Sequence, residues 1–340
     1  MSNIPQNIPE GAIRYNTDSN KMEVWIGDKW MIVATSSRNL DGGARGVFAG
    51  GRVNPGVAQD VIQFITTTTQ GNATDFGDLT QARHNFEGCG SRTRGVFMAG
   101  RTPTPSDTID FVTIASTANA TDFGNLNKGA VQHGGCCSNE TRGLHFNGNN
   151  HPAGTEFNAI DFITIASTGN ALDFGDTNQQ GWGTTAFASP TRGLYTGSYP
   201  GGSMSKLIEF VTIATTGNAQ TFGDLIATVY SNAACSNPTR ALIGGGDNSV
   251  RNTIDMITIA TLGNAVDFGD LINPMFEGSA TSNSTRGIWA GGLIPTPANE
   301  TKTDVIQYLS FATTGNAIDF GNLATGTQEC ASTTNAHGGL

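Results

Sequence analysis

The residues of this chain that could do chemistry recur in register. Asp-Phe-Gly occurs at Asp75, Asp122, Asp173, Asp267 and Asp319, and Thr221 replaces the acid in the sixth copy. That triplet can hold Mg²⁺ at a phosphoryl-transfer site. It needs a Gly-rich loop and a catalytic loop beside it, and neither is in the sequence. An arginine precedes each copy by about thirty residues, at Arg45, Arg94, Arg142, Arg192, Arg240 and Arg286. Repeated arginines could bind an anion, but in a repeated turn they are expected to bond carbonyls or the Asp of the triplet. The five histidines (His84, His133, His145, His151, His337) show no metal-ligand spacing. Neither a Gly-x-Ser-x-Gly nucleophile elbow nor a Walker loop is present. The 28 acids single out no carboxylate pair for glycoside cleavage. The expectation is no catalytic residue, no metal and no cofactor. Three loop aromatics, Trp182, Tyr199 and Tyr230, could stack on a sugar.

The elements that position these residues follow from the repeat. Asn-Ala-x-Asp-Phe-Gly begins at Asn72, Asn119, Asn170, Asn264 and Asn316, with the variant Asn-Ala-Gln-Thr-Phe-Gly at Asn218, and the arginines step by 49, 48, 50, 48 and 46 residues. Self-similarity at this period signals a propeller or another array. Four strands are expected per unit. In the second copy they are about Asn85–Ser91, Val96–Ala99, Thr108–Ala115 and Ala120–Leu126. Strand three places Ile109, Phe111 and Thr113 on one face and Asp110, Val112 and Ile114 on the other, as suits a sheet packed on both sides. The Thr-Gly-Asn-Ala step before strand four reads as a tight hairpin. Strand one is made of small residues, such as Gly134-Gly-Cys-Cys-Ser, which a crowded axis requires. Trp182 and Phe187 depart from this in the fourth copy, where Phe187 is expected near the axis or the strand displaced. Counting strands leaves the first unit without strand one. Glu329-Cys-Ala-Ser-Thr near the C-terminus supplies it, with Asn335 in the vacant arginine slot. Closure of this kind removes the exposed edge of an open sheet.

Composition agrees with a β-rich, turn-dense chain. Forty-five of 340 residues are glycine and only 14% are charged. The net charge of −10 lies in the repeats, with no basic cluster to suggest a nucleic-acid partner. No apolar run is long enough to span a membrane, and no signal peptide is readable. Cys89, Cys137, Cys235 and Cys330 are assigned to one repeat position and read, with Cys136, as small buried thiols rather than a disulfide or zinc framework.

Residues 1–43 form a separate unit. Ala12–Tyr15, Met22–Ile26 and Trp30–Val33 read as a three-stranded meander, and residues 34–43 as a linker. A meander of this size cannot bury enough surface to stand alone. Tyr15, Trp25, Trp30 and Met31 are therefore expected to pack on something else, as an attachment arm.

The repeat of residues 44–340 resembles the kelch class of propellers: a period near fifty, a small inner strand, and Gly50-Gly51 or Gly291-Gly292 after strand two. Phe stands where kelch repeats usually carry Trp. The runs Phe162-Ile-Thr-Ile-Ala-Ser-Thr-Gly-Asn-Ala-Leu-Asp-Phe-Gly-Asp and Ser282-Asn-Ser-Thr-Arg-Gly resemble repeats in virion proteins of tailed phages, notably cyanophages. Gly11-Ala-Ile-Arg-Tyr-Asn-Thr-Asp-Ser-Asn-Lys-Met-Glu-Val-Trp with Gly27-Asp-Lys-Trp is similar to a short module of phage fibre and tail proteins. The resemblance implies an all-β protein, a six-bladed kelch-like β-propeller whose C-terminal strand closes blade one, with a small N-terminal β-meander arm. It implies a non-enzymatic structural component of a virion (tail, baseplate or fibre), made in the host cytoplasm. Residues 1–40 would contact other virion proteins or further copies of the chain. The alternatives are a capsid-decorating protein and a carbohydrate-binding module for host-surface glycan; a glycan-cleaving depolymerase ranks last.

Overall fold

The computed structural model describes residues 8–17, 21–33, 45–247, 251–296 and 300–336. The expected linker and His337 lie outside these. The chain divides into two compact units, Met1–Leu40 and Asp41–Leu340. Among the described residues the fold is all-β, apart from one helical turn at Pro200–Gly202. Among the described residues no helix is long and apolar enough to cross a membrane.

The first unit is a meander of Ile13–Asn16, Lys21–Ile26 and Lys29–Ile32. Its register places Ile13, Val24 and Met31 on one face, with Tyr15 opposite Met22. The other face carries Arg14, Glu23, Trp25 and Trp30. Part of that face pairs internally: Arg14 bonds Glu23 at 2.8 Å, lies 4.2 Å over Trp30, and the two tryptophans meet edge to face at 5.3 Å, while Ile32 beside them stays 52% exposed. The tryptophans are thus half-buried against each other. The bare surface is the opposite face, where Ile13 is 63%, Tyr15 54% and Ile26 50% exposed, with Met22 and Met31.

Among the described residues the second unit contains six antiparallel sheets built on four strands in up-and-down order, and the third also carries the short strand Asn149–Asn150. The second copy is typical: Glu87–Gly90, Arg94–Met98, Thr108–Thr113 and Thr121–Asn125. In the third copy the last two strands lengthen to Thr155–Thr164 and Leu172–Gly181. The first copy takes its inner strand from the other end of the chain. Ala331–Thr334 pairs with Arg45–Ala49, Ala331 opposite Ala49 and Thr334 opposite Gly46.

This register corrects two assignments. Thr334 occupies the place of Gly90, so Asn335 matches Ser91 and not an arginine. Cys330 then falls three residues before the position shared by Cys89, Cys137 and Cys235. All five thiols are buried and free. The true role of Asn335 is a cap. In other copies Asn139, Asn237 and Asn283 accept the backbone N–H of the arginine three residues on. Asn335 accepts that of Arg45 at 3.0 Å, the same bond made across 290 residues.

Why each copy repeats its motif is visible in the seams between sheets. Each of six core clusters draws on two neighbouring sheets, one of them joining the sixth to the first through Phe48, Ile65, Ile288 and Phe320. The Phe of every Asp-Phe-Gly position is buried there. Each such side chain contributes roughly 1.5–3 kcal/mol. The Asn of each motif accepts a backbone N–H from the outer strand of the preceding copy: Asn119 from Asp78, Asn170 from Asn125, Asn218 from Asp176, Asn264 from Asp224 and Asn316 from Asp270. Asn72 accepts from Asn322 of the sixth copy. The backbone follows, with Gly169 N–H donating to Phe123 and Ala171 N–H to Asn125. The Thr-Gly-Asn-Ala step is therefore not a tight hairpin. It is a lateral clamp on the neighbouring outer strand, which explains the glycine of the triplet. A Cβ on Gly269 would stand 2.2 Å from the carbonyl oxygen of Gly315, and φ is +152°. Only glycine allows that approach.

A buried polar residue in strand three makes a second lateral bond in every copy. Gln63, Asp110, Asp161, Glu209, Asp255 and Gln307 accept backbone N–H groups of Ala324, Thr80, Asn127, Asn178, Ile226 and Ile272 of the preceding copies. Cations accompany several of the acids: Arg83 lies 3.0 Å from Asp110, both fully buried, and Arg251 lies 3.3 Å from Asp255. Lys128, beside Asp161, donates to three carbonyls. The neutral Gln63 and Gln307 need no countercharge.

Candidate functional site

The repeat arginines resolve into a structural set. Each donates to a carbonyl just past strand three of the next copy: Arg45 to Ile114, Arg94 to Ile165, Arg142 to Ile213, Arg192 to Ile259, Arg240 to Phe311 and Arg286 to Thr67. Five of them also lie 4.6–4.9 Å over a strand-three ring of their own copy. Arg240 has Met256 there instead. Among the described residues no ion pair joins these arginines to Asp75, Asp122, Asp173, Asp267 or Asp319, which stand exposed on outer strands. Of the two partners expected for the arginines, the carbonyls hold.

The chemically varied groups gather where strand four of one copy leads to strand one of the next. Six equivalent positions, Asn85, His133, Gly183, Ser231, Glu277 and Glu329, all have positive φ between 52° and 69°. Their backbones form a circuit: His133 N–H donates to Asn85, Gly183 to His133, Ser231 to Gly183, Glu277 to Ser231, Glu329 to Glu277 and Asn85 to Glu329. They line a cavity of mixed polarity with further residues of the same copies, including Glu87, Thr184 and Asn232. The small inner strands line a second cavity beyond it, where Phe187 also sits in an undisplaced strand.

Electrostatics around this circuit are uneven. Burial, followed by the charge and hydrogen bond of Glu329, pushes the Glu277 carboxyl up to about 8. Burial alone would raise Glu329 too, but the bond to His84 and the charges of His133 and Arg52 bring it below the ordinary value. Arg52 lies 2.8 Å and His84 2.7 Å from its carboxylate. Burial holds His133 down to about 4, against the pull of Glu329, so it is neutral at pH 7. Burial also lifts Glu87 to about 8. The Asn232 carboxamide and the Thr184 hydroxyl face this cavity with no partner.

The three aromatics from separate loops come together at the same end. Trp182 lies 5.1 Å from Tyr199 and 5.5 Å from Tyr230, and Tyr199 lies 4.9 Å from Tyr230. His133 joins them, 5.3 Å from Trp182. The Tyr230 hydroxyl donates to Asp247 at 2.7 Å. All three are half-buried. An open groove next to them is lined by Arg52, Asp247, Glu277, Glu300 and Lys302.

Sequence reasoning missed the acid pair and the histidines around it. Their one signal was positional: Glu277 and Glu329 occupy the same repeat slot. His145 is fully buried with neither ring nitrogen partnered and belongs to no such cluster.

No family model matches the chain, and none of the curated proteins compared with it matches.

Proposed function

We propose that this chain is a non-enzymatic structural component of a tailed-phage virion. On this reading it is a six-bladed, kelch-like β-propeller closed by its C-terminal strand, and residues 1–43 attach it to the particle. The observation that carries the attachment role is the bare apolar face of the N-terminal meander, with Ile13, Tyr15 and Ile26 at least half exposed. A three-stranded sheet leaving that much apolar surface in water is marginal alone and suits a surface that a partner covers. Closure is supported by the seams, since the motif Asn, the repeat arginine and the strand-three polar residue link the sixth copy to the first as they link the other copies. The phage resemblance supplies the setting. Removing residues 1–43 should leave a folded propeller that no longer incorporates into particles. Normal incorporation of the shortened chain would refute the attachment role.

A second reading, recognition of a host-surface saccharide, is favoured by the meeting of Trp182, Tyr199 and Tyr230. In an up-and-down propeller the uniform Thr-Arg-Gly turns and the loops that carry these aromatics lie on opposite faces. Aromatic faces beside a few polar groups are what sugar sites use. Binding of host polysaccharide that falls with Trp182→Ala and Tyr199→Ala would support it. Binding unchanged in both variants would remove it.

A further inference from the structure

The six positions of the backbone circuit differ in what they place side by side. Three joints pair neutral side chains, Asn85 with His133, His133 with Gly183 and Gly183 with Ser231, and the amide Asn85 meets the carboxylate Glu329 at a fourth. Ser231 faces Glu277 at another. Only the joint between the sixth and first sheets sets two carboxyl groups next to each other, Glu277 and Glu329. That joint also holds the strand that completes the first sheet, Ala331–Thr334, which begins two residues after Glu329.

The surroundings fix which acid is ionised. Glu329 has Arg52 and His84 on its oxygens, and its side chain is 4% exposed. Glu277 has no cation within salt-bridge distance among the described residues. It accepts from the side-chain amide of Gln328 at 2.6 Å. Charged and titratable groups facing the pair are Glu87 and His133 across the cavity, Arg52, Asp247, Glu300 and Lys302 along the groove, Arg101 behind His133, and Tyr230.

We propose that this joint is a proton-dependent latch: a proton held between Glu277 and Glu329 seats the C-terminal strand, and losing it loosens that strand while the other five joints stay firm. The inference rests on the closed-propeller reading and adds a condition under which closure weakens. The proton leaves Glu277 for solvent, so two buried carboxylates then face each other, with Arg52, 2.8 Å from Glu329, the permanent cation bonded to the pair among the described residues. The direction follows from linkage. Glu277 ionises near 4.5 when solvated and near 8 when seated. The seated state therefore holds the extra proton between these values, and its advantage is lost as pH rises toward 8. His133 works the opposite way, but only between about 4 and 6.5, so the range pH 6.5 to 8.5 leaves Glu277 and Glu87, which burial also lifts to about 8, and Glu87→Gln tells them apart. Over that range opening should become on the order of tenfold more frequent, then level off.

The test is hydrogen exchange by mass spectrometry on the full chain at pH 6.5, 7.5 and 8.5, corrected for intrinsic rates. Peptides covering 328–336 are compared with the equivalent inner strands at 135–138 and 233–236. The expected result is an order-of-magnitude loss of protection at 328–336 alone, abolished by Glu277→Gln, which keeps an amide oxygen for Gln328. Glu87→Gln should leave that loss in place. Uniform loss across all six inner strands would overturn the latch. So would an unchanged pH response in Glu277→Gln, or its removal by Glu87→Gln. Deleting residues 326–340 addresses closure separately, so failure of the latch and failure of the closed ring are distinguishable.

Discussion

Arg142→Ala tests whether the repeat arginines are structural seams. Arg142 donates through one nitrogen to the carbonyls of Ile213 at 2.9 Å and Ala214 at 3.0 Å. Its guanidinium lies 4.9 Å from the Phe162 ring centre. A hydrogen bond to a charged group is worth about 1.5–3 kcal/mol; this one is only part-buried, so the lower half of the range applies. The stacked ring adds about 0.5–1 kcal/mol. The loss should be about 2–3 kcal/mol. Unfolding entropy of about 2.1 cal/mol/K per residue over residues 41–340 converts that to a melting point lower by about 3–5 °C. Arg240→Ala is the internal control. It loses the bonds to Phe311 and Ala312 but no ring, because Met256 occupies the stacking position. Its cost should be smaller by about 0.5–1 kcal/mol. Differential scanning calorimetry of both variants measures this. An Arg142→Ala protein melting within a degree of wild type would refute the seam role, and a larger loss for Arg240→Ala would refute the contribution of the ring.

Three further outcomes follow from the same seams and from the meander. Gly269→Ala should impair folding or lower the melting point sharply, because its Cβ would overlap the Gly315 carbonyl, whereas Gly263→Ala, with nothing within 4 Å, should cost about 1–2 kcal/mol from positive φ alone; equal effects on soluble yield and melting would count against the close-approach account. Deleting residues 326–340 should strip the inner strand from Arg45–Ala49 and give aggregation or a broadened unfolding transition, and a monomer that melts as before would argue against closure. Ile13→Ser with Ile26→Ser, both at least half exposed, should reduce incorporation into particles without changing the melting of residues 41–340; undiminished incorporation would separate this face from attachment.

The sheets were legible because their signal is local. Period-two alternation around Ile109–Thr113 and the spacing of the arginines set strand number and order without three-dimensional knowledge. The missing inner strand was likewise found by counting. What escaped depends on which backbone lies beside which. Nothing near Gly269 in sequence announces that the Gly315 carbonyl will press on it, so the glycine read as a bend and Thr-Gly-Asn-Ala as a hairpin. The register of the closing strand was misjudged for a related reason. Cys330 aligned by residue type with Cys89, but pairing with Arg45–Ala49 decides position, and it put Thr333 in that place. The aromatic loops could be named as binders, yet their meeting required the curvature that brings residues 182, 199 and 230 together. The acid pair was hidden most completely, since its members lie 52 residues apart and matter only because the sixth sheet touches the first.

The position of Arg45–Ala49 has a mechanical consequence. This strand is the first part of the second unit to receive any pull transmitted along the chain from the N-terminal segment. It is flanked on one side by Ala331–Thr334 and on the other by Val61–Thr66, with register partners along both edges. A tug along the strand axis cannot peel bonds one at a time from a free border. It must shear two ladders together, so rupture should demand much more force than unzipping an outer strand. A strand held in the middle of a sheet, rather than at its margin, lets the second unit resist load where an early and a late strand of the unit pair.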